Sequence, residues 1–140
     1  MKIKIIDSSV VFKWFGRGEI DRDLAVKLLN SHISKKIQLI VPDLIFYEIA
    51  NAWATKSALS AVEIEANLSK LEEANLKVEQ IGFKFIKQAV VFSKKYHVSV
   101  YDAAYAILAQ EKKCDLITAD DKFADKINLT FVKKLSDYSD

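Results

Sequence analysis

The opening of the chain, residues 2–15, reads KIKIIDSSVVFKWF and indicates the fold. The β-branched run Lys2–Asp7 has the composition of a short strand. Ser8–Phe15 is expected to form a helix, which ends at the turn Gly16–Arg17–Gly18. A strand that passes directly into a helix is typical of α/β proteins, in which helices connect parallel strands.

The rest of the chain continues this alternation of short apolar runs and amphipathic stretches. Apolar residues recur at helical spacing in Asp21–Ile33. Ser60 and Glu63 form a capping-box pattern, and Pro42 suits the first position of a helix. The other expected strands are Gln38–Val41, Leu76–Ile81, Asp115–Thr118 and Leu129–Val132, and the other expected helices are 42–56, Ala61–Ala74, Phe83–Lys95, 99–113 and Lys122–Lys126. We therefore expect a single three-layer α/β domain over residues 1–140, with a mostly parallel central sheet of about five strands flanked by helices.

The composition excludes several classes of protein. Hydrophobic residues make up 51% of the 140 and charged residues 29%, which is ordinary for globular domains and argues against disorder. The longest uncharged stretch, Ala103–Gln110, is far shorter than the ~20 apolar residues of a membrane span. Met1–Ile6 reads as a strand rather than a signal peptide, and one cysteine fits a reducing compartment, so we expect a cytoplasmic protein. The net charge of +2 does not by itself indicate nucleic-acid binding.

Two acidic residues in the first half of the chain have unusual surroundings. Asp7 closes the first strand, at the edge of the sheet where α/β proteins bind ligands, although an aspartate there also suits a helix cap. Glu48 is the one charge in the apolar run 44–54 and shares a narrow polar stripe with Asn51 and Thr55. Such a carboxylate is either exposed on the stripe by chance or directed into a polar pocket, because charges are seldom buried without a partner or a metal.

Two further acidic residues repeat this pattern in the second half. Asp102 is the one charge between His97 and Gln110, and it also completes an N-terminal box with Ser99. Asp120 and Asp121 follow the fourth strand, and we expect one of them to cap the next helix while the other is free. The alternation of an extended chain places Asp120 on the same side as Thr118, which favours Asp120 as the free acid.

The four acids Asp7, Glu48, Asp102 and Asp120 could meet at the mouth of the sheet. Close carboxylates repel by about 4 kcal/mol per pair at an effective dielectric constant near 20. Such a cluster is stable near neutral pH only when some members are protonated or a cation lies among them. Because oxygen ligands select hard cations, we expect Mg²⁺ or Mn²⁺ rather than zinc.

Four sequence blocks resemble the PIN-domain family, and within it the VapC-type toxins of toxin–antitoxin pairs. The blocks occur in the family's order, at family-like spacing, and span essentially the whole chain. They are IIDSSV at 5–10, VPDLIFYEIAN at 41–51, SVYDAAY at 99–105 and LITAD at 116–120.

The resemblance implies a metal-dependent endoribonuclease that uses one or two Mg²⁺ or Mn²⁺ ions and leaves a 5′-phosphate and a 3′-hydroxyl. Asp7 and Asp102 match the family's metal ligands, and Glu48 binds directly or through water. Asp120 completes the quartet, with Asp121 as the alternative fourth acid. The residues implied to support this site are the hydroxyl-bearing Ser8 and Thr118, with Asn51 a further candidate.

The resemblance also implies a homodimer and a cognate VapB-type antitoxin as partner. Lys13 and Arg17 follow Asp7 closely enough to contact RNA phosphates, although both also suit an ordinary solvated surface. Three other functions stay open. They are a PIN-domain nuclease of RNA processing, a non-catalytic PIN domain that binds RNA or protein, and, more remotely, a receiver-like signalling domain.

Overall fold

The computed structural model describes residues 1–139 and contains a five-stranded sheet whose strands alternate with helices. The strands are β1 (Lys2–Ile6), β2 (Ile37–Pro42), β3 (Lys77–Glu79), β4 (Asp115–Thr118) and β5 (Val132–Lys134). The helices are α1 (Ser8–Phe15), α2 (Arg22–Ile33), α3 (Leu44–Lys56), α4 (Ala61–Glu73), α5 (Phe83–Tyr96), α6 (Val100–Lys112) and α7 (Asp121–Ile127), and a short 3₁₀ turn covers Leu135–Asp137. The predicted domain extends to residue 140, which lies outside the described residues.

The sheet is parallel throughout, with the strand order β3-β2-β1-β4-β5. The strand β1 is central and pairs with β2 on one side and β4 on the other. The chain therefore winds outward from β1 in both directions, and the winding reverses between β1 and β4. In open α/β sheets, the carboxyl ends of the strands at such a reversal form the crevice that binds ligands. The predicted α/β class and parallel sheet are confirmed.

The core lies on both faces of the sheet. Ile5 and Ile6 are consecutive residues of β1, whose side chains point to opposite faces, and both are fully buried. Helices cover the two faces with apolar residues such as Val10 of α1 and Ile49 of α3, which are also fully buried. Burial on both faces explains the continuous apolar run 39–41 of β2.

Two predicted boundaries are wrong, the first because of strand pairing and the second because of a turn. Pro42 does not start a helix. It is the last residue of β2, opposite Glu79 of β3, and the helix begins at Leu44. The last strand covers Val132–Lys134 instead of Leu129–Val132, because Leu129 lies in a turn whose carbonyl accepts a hydrogen bond from the Val132 N–H.

Several predicted helix starts are confirmed by their hydrogen bonds. The Ser60 hydroxyl accepts from the Glu63 N–H, and the Glu63 carboxylate accepts from the Ser60 N–H, which forms the predicted capping box of α4. The Ser99 hydroxyl accepts from the Asp102 N–H at the start of α6. Within residues 1–139, no helix combines the length and the hydropathy that a membrane span requires.

Candidate active site

Asp7 lies at the carboxyl end of β1, where it is the N-cap of α1 and is 4% exposed. One carboxylate oxygen, Oδ1, accepts from the Ser9 N–H at 3.1 Å and from the Ser9 hydroxyl. The other, Oδ2, accepts from the Thr118 hydroxyl. The pKa of Asp7 is raised to about 7: burial is the main cause, the charges of Asp102 and Glu48 add to it, and the two hydroxyl hydrogen bonds oppose the rise. Both roles considered from the sequence therefore apply to Asp7, because it caps a helix and also faces other acids.

The hydroxyls of Ser9 and Thr118 connect the ends of β1 and β4 beneath Asp7. The Ser9 oxygen accepts from the Ala119 N–H at 2.8 Å, and the Thr118 oxygen accepts from the Asp120 N–H at 3.1 Å. These bonds fix the backbone between Thr118 and Asp120. The sequence named Thr118 and missed Ser9, although an Asp-x-Ser triplet directly before a helix is a recognisable capping pattern.

Glu48 is half-buried on α3 and accepts a hydrogen bond from the Tyr105 hydroxyl of α6 at 2.7 Å from its Oε1. Tyr105 is fully buried, and burial, followed by the charge of Glu48, raises its pKa well above the usual range. Its hydroxyl therefore stays protonated and acts as a donor. The Ser8 side chain, which the sequence placed near the acids, acts on the Tyr105 hydroxyl and lowers its pKa. Asn51 is exposed, and within residues 1–139 it has no hydrogen bond to the four acids.

Asp102 is the third residue of α6, half-buried, and turned toward the other acids. Its pKa is raised to about 6: burial is the main cause, the charges of Glu48 and Asp120 add to it, and the Ser99 hydroxyl opposes the rise. The charges of Glu48 on α3 and of Asp120 after β4 thus both act on the Asp102 carboxylate. The four predicted acids share one region at the carboxyl edge of the sheet.

Asp120 combines the two roles that the sequence analysis divided between neighbouring residues. It caps α7, because its Oδ1 accepts from the Phe123 N–H at 3.0 Å, and its charge also acts on Asp102. One of the two acids does cap the helix, as expected, but the preference for Asp120 as the free acid is wrong. The charge of Asp121 acts on Lys134 of β5.

The two predicted RNA-contacting cations lie along and beyond α1. Lys13 is in the last turn of α1. Arg17 is exposed beyond the end of the helix, where it lines a cavity of about 580 Å³ between α1, α2 and α4. Because α1 rises about 1.5 Å per residue over eight residues, its far end lies about 12 Å from Asp7. Arg17 therefore belongs to a different surface from the acids.

The donor set of the site consists of carboxylate oxygens, supported by hydroxyl groups. In residues 1–139, no three His, Cys, Asp or Glu side chains are already close enough to enclose a metal ion. The raised pKa values of Asp7 and Asp102 nevertheless show that these acids are destabilised as anions by burial and by one another. A hard divalent cation relieves this repulsion, and oxygen-only ligands suit Mg²⁺ or Mn²⁺. The residues therefore fit such an ion.

A parallel α/β sheet with an all-carboxylate cluster at its topological switch point defines the class of protein. The family model described as the PIN domain matches residues 4–128. The chain belongs to the PIN-domain family, which confirms the resemblance seen in the sequence.

Individual relatives agree with this assignment. The chain is 35% identical over 99 residues to Ribonuclease VapC3 of Pyrobaculum aerophilum, an alignment that covers 67% of this chain and 75% of the relative. Among solved structures, PAE2754 from Pyrobaculum aerophilum superposes with a TM-score of 0.69 at 18% identity, covering 96% of this chain and 90% of that one. A toxin–antitoxin complex from Klebsiella pneumoniae superposes with a TM-score of 0.68 at 15% identity, covering 94% and 97%. The similarity to these structures is one of fold.

Proposed function

We propose that this protein is a metal-dependent endoribonuclease, the toxin of a VapBC-type toxin–antitoxin pair, acting in the cytoplasm. The membership of the PIN-domain family and the identity of 35% with a ribonuclease named VapC3 support a nuclease activity. Hydrolysis of an RNA phosphodiester bond is the reaction for which an acidic, cation-binding site at the edge of this sheet is suited.

One observation supports this function above the others. Four acids from four separate segments lie in one electrostatic field, since Asp102 interacts with Asp7, Glu48 and Asp120. A purely structural role for one acid, such as capping, explains neither their convergence nor the raised pKa values of two of them. Strongly perturbed carboxyl groups that cluster in a crevice are characteristic of functional sites.

In this proposal Asp7 and Asp102 hold the cation, Glu48 binds it directly or through water, and Asp120 completes the site. A bound Mg²⁺ or Mn²⁺ ion, or a pair of them, lowers the pKa of water and neutralises charge that develops on the phosphate. The Ser9 and Thr118 hydroxyls keep the Asp7 carboxylate in one orientation. Such outer hydrogen bonds typically affect metal affinity by about 10- to 100-fold.

The proposal includes two protein partners, a second copy of the chain and a VapB-type antitoxin. A partner chain would cover some of the large apolar side chains on the surface, such as Tyr47 (81% exposed) and Phe83 (82% exposed). The structurally similar Klebsiella pneumoniae protein was solved as a toxin–antitoxin complex. A toxin that degrades RNA also requires an inhibitor in its own cell.

The test is RNA cleavage by the wild-type protein and by Asp102→Asn, each with Mg²⁺ or Mn²⁺ and again with a chelator. We expect the wild type to cleave only with the metal, and Asp102→Asn to lose at least about 100-fold in rate, because it removes one electrostatic group from a preorganised site. The matched control is Asp23→Asn, since Asp23 also lies in the first turn of a helix but is exposed on α2. Cleavage that survives the chelator, or equal rates for wild type and Asp102→Asn, would contradict the proposal.

A further inference from the structure

Tyr105 is a buried polar residue at the site that the acidic quartet does not include. It lies on α6 three residues after Asp102, and residues at this spacing share a helix face. It is fully buried, in contrast to Tyr101 on the preceding turn, which is 57% exposed. Phenylalanine would fill the same core volume, so the hydroxyl needs a separate explanation.

The Tyr105 hydroxyl connects α6 to α3 beside the acids. It donates to Glu48 Oε1 at 2.7 Å, and the side chain of Ser8, the first residue of α1, also acts on this hydroxyl. Among residues 1–139, the bond from Tyr105 is the only side-chain hydrogen bond that the Glu48 carboxylate accepts. The orientation of Glu48 therefore depends on one tyrosine.

A glutamate needs such a restraint more than the site's aspartates do. Asp7 is bonded through both carboxylate oxygens, and the Asp120 carboxylate caps a helix. Glu48 has one more rotatable bond than an aspartate and is half-buried rather than enclosed. Ordering such a side chain costs conformational entropy. A hydrogen bond to Oε1 limits this freedom and leaves Oε2 available.

We propose that Tyr105 is a positioning residue, which holds Glu48 by Oε1 so that its other oxygen serves the cation bound with Asp7 and Asp102. The inference rests on the proposed metal-dependent function, and it assigns to α6 a second contribution besides Asp102. Tyr105 acts through Glu48 and does not itself contact the reacting groups.

The experiment measures Mn²⁺ affinity by calorimetry on the intact protein without RNA. We expect Tyr105→Phe to bind Mn²⁺ about 10- to 100-fold more weakly than the wild type, the range for outer hydrogen bonds to metal ligands. In a Glu48→Gln background, adding Tyr105→Phe should cause no further loss, because the two residues act through one interaction. Tyr96→Phe is the matched control, since it removes a tyrosine hydroxyl from the last residue of α5 and should leave the affinity unchanged.

The outcomes separate this inference from the proposed function. Wild-type Mn²⁺ affinity in folded Tyr105→Phe overturns the positioning role even when RNA is cleaved, and so does a wild type that binds no Mn²⁺. Weakened Mn²⁺ binding with no RNA cleavage by the wild type supports the positioning role and overturns the ribonuclease. When circular dichroism shows Tyr105→Phe to be unfolded, Ser8→Ala takes its place, because the Ser8 side chain is the other polar group that acts on the Tyr105 hydroxyl. A weaker affinity then supports the inference, and an unchanged one overturns it.

Discussion

The N-termini of α1 and α4 use the same capping chemistry with opposite electrostatic results. At α1, the Asp7 carboxylate accepts the Ser9 N–H. At α4, the Ser60 hydroxyl accepts the Glu63 N–H, and the Glu63 carboxylate accepts the Ser60 N–H. The backbone and side-chain hydrogen bonds with Ser60 lower the pKa of the exposed Glu63. Burial instead raises the pKa of Asp7 to about 7, despite its hydrogen bonds.

The difference teaches that hydrogen bonding alone does not decide what an acid at a helix start does. Water solvates Glu63 fully, so each hydrogen bond further favours its charged form. Asp7 has lost that solvation and faces Asp102 and Glu48, so its charged form is costly until a cation arrives. The start of α4 therefore serves the fold, whereas the start of α1 weakens the metal-free fold and, in the proposed function, provides a binding site.

The largest expected effect is on RNA cleavage, which should depend on the acid at the start of α1 and not on the acid at the start of α4. Asp7→Asn should reduce RNA cleavage at saturating metal by at least about 100-fold, because it removes one charged metal ligand from a preorganised site. Glu63→Gln should cleave at the wild-type rate, since its carboxylate is exposed and lies outside the acidic cluster. Initial rates measured side by side test the pair.

Asn is a good N-cap, so the Asp7→Asn variant should remain folded. Its amide oxygen can accept from the Ser9 N–H, and its NH₂ group can donate to the Thr118 hydroxyl. Circular dichroism checks this. If folded Asp7→Asn still cleaved RNA, Asp7 would be a structural helix cap only, like the capping residues of α4.

The acidic residues could be predicted from the sequence because each is a local anomaly. Glu48 is a single charge in an apolar helix, and Asp7 ends an apolar strand, so spacing and composition suffice to find them. Their convergence follows from the parallel sheet, which gathers the carboxyl ends of β1 and β4 at one edge.

The supporting residues could not be predicted in the same way, because their partners are distant in the chain. Ser9 accepts a hydrogen bond from Ala119, and Tyr105 donates one to Glu48. Tyr105 looks like an ordinary core aromatic until α3 lies beside α6. The prediction that Pro42 starts a helix is wrong for a similar reason, since its place in β2 depends on the pairing with Glu79.

The second prediction concerns the pH dependence of stability without metal. The folded-state pKa of Asp7, about 7, lies above the ordinary value of 3.8, so between these values the folded state holds a proton that the unfolded state has lost. The free energy of unfolding should therefore fall as the pH rises from about 4 to 7, by roughly 4 kcal/mol for this carboxyl. Melting temperatures in a chelator, measured across this range, test the slope.

Asp7→Asn should flatten most of that slope. A smaller fall should remain, because the pKa of Asp102 is also raised, to about 6. Glu63 contributes the opposite sign, since its lowered pKa stabilises the fold above its ordinary value of 4.5 and this contribution disappears as the pH falls further. A slope that is identical in wild type and Asp7→Asn would show that the buried carboxyl is not its source.

The smallest effect is expected at the start of α4. Ser60→Ala removes the hydroxyl that accepts the Glu63 N–H and should cost about 1 kcal/mol of stability, the usual loss for an N-cap serine. For a chain of this size the melting temperature should fall by about 4 °C, with RNA cleavage at 25 °C unchanged. The opposite pattern holds at α1, where Asp7→Asn removes activity and raises the stability of the metal-free protein above pH 7. A loss of cleavage in folded Ser60→Ala would mean that α4 is coupled to the acids. The start of α4 would then have a functional role as well as a structural one.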